Sequence, residues 1–403
     1  MIESERRGFR APGTTFMVAG GLIGAVGAYV FHAYGGRELG TEGFAPVAQL
    51  WTVFFILATV LFVPLEQYVT REVASGRKAL PHDLIPALSV AGVGAVLGGG
   101  FILIMLDRLF VGSWQFALQL VLMMVAYGLL FVGKGVLAGR RRFTGVGWIL
   151  IVESAMRLAA GVVAIQLFAT AESLGWAMVF GGFSVLGLGW WRHDKGDRQA
   201  RAAPASAFLG GYVGGTASSQ VLLGAAPIAV ALLGGSDALQ SVVFATFTLY
   251  RAPLTLIFSL QGRILPYLVG IAGSGDRRKL ARYARAVVMV GSVLAILGGL
   301  VGWLVGPDVV SLLFIPEFAP SRTVAALAAA GVMAAASAQI AGQVLVAEAR
   351  TSRMAAAWLG GLLAAIVALL VLGGAPDFRV ALAFVIGQGV ALVLMAVLTI
   401  RSR

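Results

Sequence analysis

The sequence LAGRRRFTGVGWILIVESAMRLAAGVVAIQLFAT (137–170) contains three consecutive arginines followed by about twenty-five largely apolar residues. A run of that length can cross the roughly 30 Å hydrocarbon core of a bilayer as one helix. Within it, Glu153 precedes Arg157 by four residues, the spacing and order that place opposite charges together on one helix face. The stretch therefore predicts a transmembrane helix with an embedded ion pair.

Two interpretations of this pair are open. An arginine at mid-membrane costs about 2.5–3.5 kcal/mol, so embedded ionisable residues usually line a polar interior where something binds or passes. Alternatively, Glu153 and Arg157 neutralise each other and fix the packing of the helices. The pair alone favours neither interpretation.

The composition is that of an integral membrane protein. The chain has 403 residues, of which 59% are hydrophobic and only 12% are charged, whereas soluble domains carry about a quarter charged residues. Cysteine is absent and the three histidines lie in separate segments, so neither a disulfide nor a metal site is expected. We also expect no cofactor and no cleavable signal, and we leave open a coupling ion such as H⁺ or Na⁺.

Twelve apolar segments are predicted to span the membrane: 14–35, 44–65, 84–106, 114–136, 146–169, 173–191, 206–233, 238–261, 284–306, 323–346, 355–373 and 380–400. The termini and the loops on their side contain 24 of the 30 Lys and Arg residues, and the opposite loops contain four. By the positive-inside rule both termini are cytoplasmic, which predicts a multi-pass protein of the bacterial inner membrane. The net charge of +12 is thus explained by topology, and no nucleic-acid partner is expected.

The basic segment 192–205 divides the predicted spans into an N-terminal six-helix lobe (1–191) and a C-terminal six-helix lobe (206–403). The halves are weakly alike: each first span has Gly-x-x-x-Gly spacings, beginning at Gly20 and Gly210, and each second span has a proline toward its cytoplasmic end. Such glycine spacings let helix backbones approach closely. Internal duplication is the usual build of secondary transporters, so we predict an all-α polytopic fold with the two lobes around a central cavity.

An enzymatic function is not expected. No loop outside the predicted spans exceeds about twenty residues, which leaves no room for a soluble catalytic domain. The string GLLFVGKG (128–135) is similar to a phosphate-binding loop, but it has Gly where Ser or Thr must bind magnesium, and it lies in a predicted membrane helix.

Several stretches resemble the flippases of the multidrug/oligosaccharidyl-lipid/polysaccharide (MOP) exporter superfamily. GGRELGTEGFAPVAQL (35–50) resembles the family's first exterior turn, and 137–161 resembles its fourth-to-fifth helix segment with the Glu-x-x-x-Arg pair. VVSLLFIPEFAPSRTVAALAAAG (309–331) is similar to the hairpin after the ninth helix, although Ile315 stands where the family usually has Gly. The plan of twelve spans with a basic central loop also matches.

The resemblance implies a protein that moves a polyprenyl-diphosphate-linked oligosaccharide, or a related cell-envelope glycolipid, from the cytoplasmic to the exterior leaflet by alternating access. The first span lacks the arginines that line the cavity of lipid II flippases, so the polysaccharide-type (O-antigen flippase-like) branch is favoured. The implied partners are the lipid-linked glycan, anionic membrane lipids and glycan-synthesis enzymes.

The candidate substrate-binding residues are Arg157, Arg251, Glu153, Gln220 and Gln339. Arg157 and Arg251 come from opposite predicted lobes, so they could converge on a diphosphate, which suits the planar fork of arginine. The alternative for Arg251 is that helix carbonyls exposed at a Pro253 kink satisfy it. For the glutamines, the alternative is hydrogen bonding to neighbouring helices.

The alternative function is a cation-coupled drug or metabolite antiporter of the same superfamily. Such an exporter would more naturally carry an excess of acidic residues in its cavity, because a carboxylate must attract the drug or exchange a proton. Two further predictions concern basic residues. We expect Lys134 to extend to the interface with the arginines at 140–142, and the stretch RRKLARYAR (277–285) to form an interfacial helix on anionic lipid.

Overall fold

The computed structural model describes residues 13–74, 76, 84–193, 217–252, 254, 264, 267–274, 276–348 and 350–400. These residues form helices joined by short turns, with no β-strand among them. The predicted all-α polytopic class is confirmed. The chain folds as two compact units, Met1–Val213 and Gly214–Arg403. Because 194–216 lies outside the described residues, the predicted linker 192–205 and its exact limits stay a prediction.

The first two spans form one helical run, Thr14–Ala74, which is interrupted only at Gly40. Gly40 has φ 69° and ψ −179°, a conformation that residues with a Cβ rarely adopt. We call the two parts α1 (14–39) and α2 (41–74). The sequence predicted a loop of about eight residues between the first two spans, and the structure reduces that loop to this single residue.

The rest of the N-terminal unit follows the predicted spans to within three residues, except that its last long helix ends at Phe183 rather than at 191. Its long helices are α3 (Leu84–Ile104), α4 (Gln115–Gly139), α5 (Phe143–Leu167) and α6 (Ala171–Phe183). A short helix, Leu106–Leu109, precedes α4, and two 3₁₀ turns, Ser184–Leu188 and Trp190–His193, follow α6. Thr170 begins α6 as an N-cap, because its side chain accepts a hydrogen bond from the backbone N–H of Ser173 at 3.2 Å.

Small residues allow α1 to pack directly on α5. A Cβ added to Gly20 would lie 2.7 Å from the Cα of Gly147, closer than real side chains come. Nearby, the Ser154 hydroxyl donates to the carbonyl of Gly24 at 3.3 Å. The close backbone approach expected from the first glycine spacing is therefore present, while the matching glycines at 210–215 lie outside the described residues.

The C-terminal unit contains helices α7 (217–224), α8 (Ala226–Leu232), α9 (Asp237–Tyr250), α10 (Arg277–Leu313), α11 (Arg322–Ala347), α12 (Thr351–Val371) and α13 (Pro376–Ile400). The predicted spans 206–233 and 238–261 are described only in part, and Pro253 is outside the described residues. Buried side chains of α7 to α9, α11 and α13 form the main core of this unit, centred on Phe247 and Phe384, whose rings stack edge to face 5.1 Å apart.

The sequence predicted an interfacial helix at 277–285. In the structure this basic stretch is not a separate helix. It forms the first turns of α10, a continuous helix of 37 residues. Leu280 of this stretch packs against Leu268, Ile271 and Val344, while Arg278 and Arg282 are exposed. Burial of the apolar side therefore holds the basic turns in the same helix as the apolar residues that follow.

Eight of the described helices are long and apolar enough to cross a membrane, counting Thr14–Ala74 as one. Large apolar side chains on α10 and α12 are exposed, among them Ile296 at 72% and Leu370 at 78%. A protein in water would bury such surfaces, whereas lipid solvates them at no cost. The chain is a multi-pass membrane protein.

Candidate functional site

The predicted ion pair on α5 is formed and lies inside the N-terminal unit. Arg157 Nη1 lies 3.0 Å from Glu153 Oε1. The two side chains are only 3% and 10% exposed. The i, i+4 spacing thus predicted the ion pair correctly, because one turn of helix brings the two side chains to the same face.

Tyr127 on α4 is the third member of this group. Its hydroxyl donates to Glu153 Oε1 at 2.6 Å, and Arg157 Nη1 donates to the same hydroxyl at 3.4 Å. Hydrogen bonds to an ionised acceptor are short and strong, so the tyrosine ties α4 to the charged face of α5. Sequence spacing missed Tyr127 because it comes from a different helix, 26 residues before Glu153.

Aromatic side chains of α1 and α2 cover the guanidinium group. Its central carbon lies 5.2 Å from the ring centroid of Trp51 and 5.7 Å from that of Phe31, within the range of cation–π attraction. His32 stacks edge to face on Trp51 at 4.8 Å. We refer to Glu153, Arg157, Tyr127, Trp51 and Phe31 as the buried ion-pair cluster.

A glycine of α6 closes the cluster from the remaining side. A Cβ added to Gly181 would lie 2.6 Å from the Cβ of Arg157, so only glycine permits this approach. Arg157 Nε finds no hydrogen-bond partner among the described residues. The cluster is therefore charge-balanced and almost closed to solvent, the arrangement expected if the pair fixes helix packing, although the Nε donor of Arg157 is unused among the described residues.

A second ion pair joins α2 to α4. Lys134 Nζ lies 2.8 Å from Glu66 Oε2 and 4.3 Å from the ring centroid of Phe131. The two charged side chains are 15% and 22% exposed. The lysine thus finds a carboxylate on the neighbouring helix, and its extension to the interface with the arginines at 140–142 stays a prediction.

The other three predicted site residues belong to the C-terminal unit, on three different elements. Gln220 is buried in α7, Gln339 is half-buried on α11, and Arg251 is half-buried directly after the last residue of α9. Of the five predicted residues, the structure brings together Glu153 and Arg157. The convergence of Arg157 with Arg251 stays a prediction, and the Pro253 kink offered as its alternative falls outside the described residues.

One buried glutamine, Gln119, joins two helices of the N-terminal unit. The Gln119 amide nitrogen donates to the carbonyl of Glu172 on α6 at 2.9 Å, so this side chain links α4 to α6. Among the residues that the structure describes, no three His, Asp or Glu side chains come close enough to hold a metal ion.

No protein-family model matches the chain. An uncharacterized protein of Mycobacterium tuberculosis is 28% identical over 365 residues, covering 83% of this chain and 79% of that protein.

Solved structures give a clearer result. An inward-facing multidrug resistance MATE family transporter of the MOP superfamily superposes with a TM-score of 0.72 at 13% identity, over 93% of each chain. The fold is that of a MATE transporter. A MOP superfamily transporter from Pyrococcus furiosus, described as having a binding pocket of reversed polarity, shares the MATE fold with a TM-score of 0.68 at 14% identity, over 97% of this chain and 96% of its own.

Proposed function

We propose that this protein is a transporter of the MOP type that moves a polyprenyl-diphosphate-linked oligosaccharide, or a related cell-envelope glycolipid, across the bacterial inner membrane. The direction is from the cytoplasmic to the exterior leaflet, with both termini cytoplasmic, by alternating access of the two units. The fold supports transport, while the substrate class rests on the charges inside the spans.

The ion pair and the hydrogen bond of Glu153 are the observation on which the proposed substrate class rests. A cation exporter needs a mid-span carboxylate that is able to attract a drug or exchange a proton. In the N-terminal unit Glu153 is held by Arg157 at 3.0 Å and by the Tyr127 hydroxyl at 2.6 Å, so its negative charge is already compensated. A compensated carboxylate attracts a cation weakly, which disfavours a cationic substrate at this position.

The unused donor of Arg157 supports the same choice. A buried N–H without an acceptor costs free energy, and a phosphate oxygen is a suitable acceptor for it. We propose that Arg157 and Arg251 contact the diphosphate in a state of the cycle in which the cluster opens, with Gln220 and Gln339 hydrogen-bonding the glycan. Anionic lipids and glycan-synthesis enzymes are the proposed partners.

Reconstitution tests this proposal. Proteoliposomes that contain a polyprenyl-diphosphate glycan in both leaflets are treated with a membrane-impermeant glycan-modifying reagent, and the protected fraction is followed with time. We expect the wild-type protein to make the inner-leaflet glycan accessible and Arg251→Gln to slow this strongly. The control is Arg285→Gln, an exposed arginine of α10. No movement by the wild-type protein, or equal rates for Arg251→Gln and wild type, would contradict the proposal.

A cation-coupled drug antiporter is the second candidate, because one structure that shares the fold is described as a multidrug resistance transporter. The same proteoliposomes, loaded with a cationic dye and given a pH or Na⁺ gradient, separate the two functions. Gradient-driven movement of the dye without movement of the glycan would favour the antiporter.

A further inference from the structure

An open groove of about 1040 Å³ runs between α5 and α6 on the N-terminal unit. Its floor is formed by small residues of α5, among them Ala160 and Ala164, and its sides by larger apolar residues such as Val163 and Phe180. Val163 and Phe180 are 55% and 53% exposed, so the groove is open along its length. We call it the α5–α6 groove.

The length of this groove matches the depth of one leaflet. It extends along α5 from Met156 to Phe168, which is roughly 18 Å at 1.5 Å per residue. Half of the hydrocarbon core is about 15 Å. Since α5 ends at Leu167, the groove begins at a membrane surface and reaches about the midplane.

The polarity of the groove is graded along the same direction. Its polar lining residues, Gln115, Thr170, Glu172 and Ser173, all lie at the end where α5 meets α6, and the deep end is apolar, with Met156 and Phe183. Trp176 lies beside the polar residues, where its indole N–H donates to Gln115 Oε1 at 3.2 Å. An indole that is apolar on one side and hydrogen-bonded on the other is typical of the headgroup level of a membrane.

We infer that the α5–α6 groove binds the hydrocarbon chain of one membrane lipid, whose headgroup lies against Glu172 and Gln115. The apolar length fits a chain confined to one leaflet, and the polar end fits the headgroup attached to it. The Glu172 carboxylate is an acceptor, so the favoured headgroup donates hydrogen bonds, as the primary ammonium of phosphatidylethanolamine does. This binding site does not depend on which substrate the protein transports.

Native mass spectrometry of the purified full-length protein tests the chain-binding part. The protein is delipidated in detergent and titrated with phosphatidylethanolamine. Ala160→Trp places a large side chain inside the groove, and Ala155→Trp is the matched control, an exposed alanine of the same helix that does not line it. We expect wild type and Ala155→Trp to retain one lipid and Ala160→Trp to lose it. Equal retention by all three proteins would overturn the inference.

A measurement on the wild-type protein covers the case in which Ala160→Trp fails to fold. Phosphatidylethanolamine with a photoreactive diazirine in its acyl chain is incorporated into liposomes with the protein, and the labelled peptides are identified. We expect heavier labelling of 156–168 and 171–183 than of α12, whose exposed apolar surface serves as the reference. Equal labelling, or a protein–protein cross-link through these helices, would overturn the inference.

The headgroup part is tested by comparing phosphatidylethanolamine with phosphatidylcholine of identical chains, since the quaternary ammonium of choline cannot donate a hydrogen bond. We expect wild type to prefer phosphatidylethanolamine and Glu172→Gln to reduce this preference roughly two- to fivefold, the size of a partly exposed charged contact. Equal binding of both lipids to wild type would overturn the headgroup assignment.

Discussion

Two ion pairs of the N-terminal unit have nearly the same length but opposite surroundings. Glu153 and Arg157 are 3.0 Å apart and 10% and 3% exposed, whereas Glu66 and Lys134 are 2.8 Å apart and 22% and 15% exposed. The first pair is enclosed by aromatic rings and a tyrosine hydroxyl, and the second has one ring beside it. The distance between two charges therefore says little about how much the fold depends on them.

The difference lies in what happens when one partner is removed. A charge left alone in the buried ion-pair cluster has little water to replace its partner, so its desolvation is uncompensated. A charge left alone at the Glu66–Lys134 pair can still reach solvent, so much of the loss is recovered.

The largest expected effect is that of Arg157→Leu, which leaves the Glu153 charge buried. We expect a loss of about 3–5 kcal/mol in the free energy of unfolding, measured by denaturation in detergent micelles. Leu158→Ala, a neighbouring apolar change, serves as the control. A loss below about 1 kcal/mol would mean that water reaches Glu153, and that the two pairs are alike.

Tyr127→Phe is expected to have the next largest effect. It removes the 2.6 Å hydrogen bond to Glu153 but keeps the ring and the ion pair. The expected loss is about 1.5–3 kcal/mol, the usual value for a hydrogen bond to a charged group, measured by the same denaturation. Tyr34→Phe, at a tyrosine of α1 whose 3.4 Å contact with Gln166 is exposed, should change stability far less.

Replacing all the polar groups of the buried ion-pair cluster together distinguishes a role in helix packing from a role in transport. The triple variant Glu153→Leu, Arg157→Leu and Tyr127→Phe leaves no buried charge behind, so we expect its stability to be within about 2 kcal/mol of wild type. Glycan movement in proteoliposomes is then the decisive measurement. A stable triple variant that still moves the glycan at the wild-type rate would assign the cluster to packing alone.

The smallest effect is expected for Lys134→Gln, at most about 1 kcal/mol in the free energy of unfolding. Raising the salt concentration should weaken the wild-type pair and leave the variant unchanged, because salt screens accessible charges more than buried ones. A loss as large as that of Arg157→Leu would show that the second pair is also sealed from water.

The sequence predicted the positions of the helices well, but it predicted poorly which side chains of different helices contact each other. Long apolar runs determined α3 to α6 and α10 to α13 to within a few residues at most ends, because hydrocarbon thickness sets the length of a span. The break at Gly40 was missed because one residue with positive φ leaves no polar segment in the sequence. The extent of α10 was missed because its basic turns look like a separate amphipathic helix.

Within the candidate site, spacing gave only contacts along one helix. The Glu153–Arg157 pair follows from four residues of separation, but Tyr127, Trp51 and Glu66 come from other helices, and no local pattern specifies which faces meet. The ion pair of Lys134 was missed for the same reason, since its carboxylate partner is 68 residues away.

The continuity of α10 has a mechanical consequence. Its 37 residues extend roughly 55 Å, nearly twice the thickness of the hydrocarbon core, and the basic turns at its start share one axis with the turns that cross the lipid. Because no break separates the basic turns from the crossing turns, a displacement of Arg278 or Arg282 is transmitted along the helix into the segment that crosses the lipid.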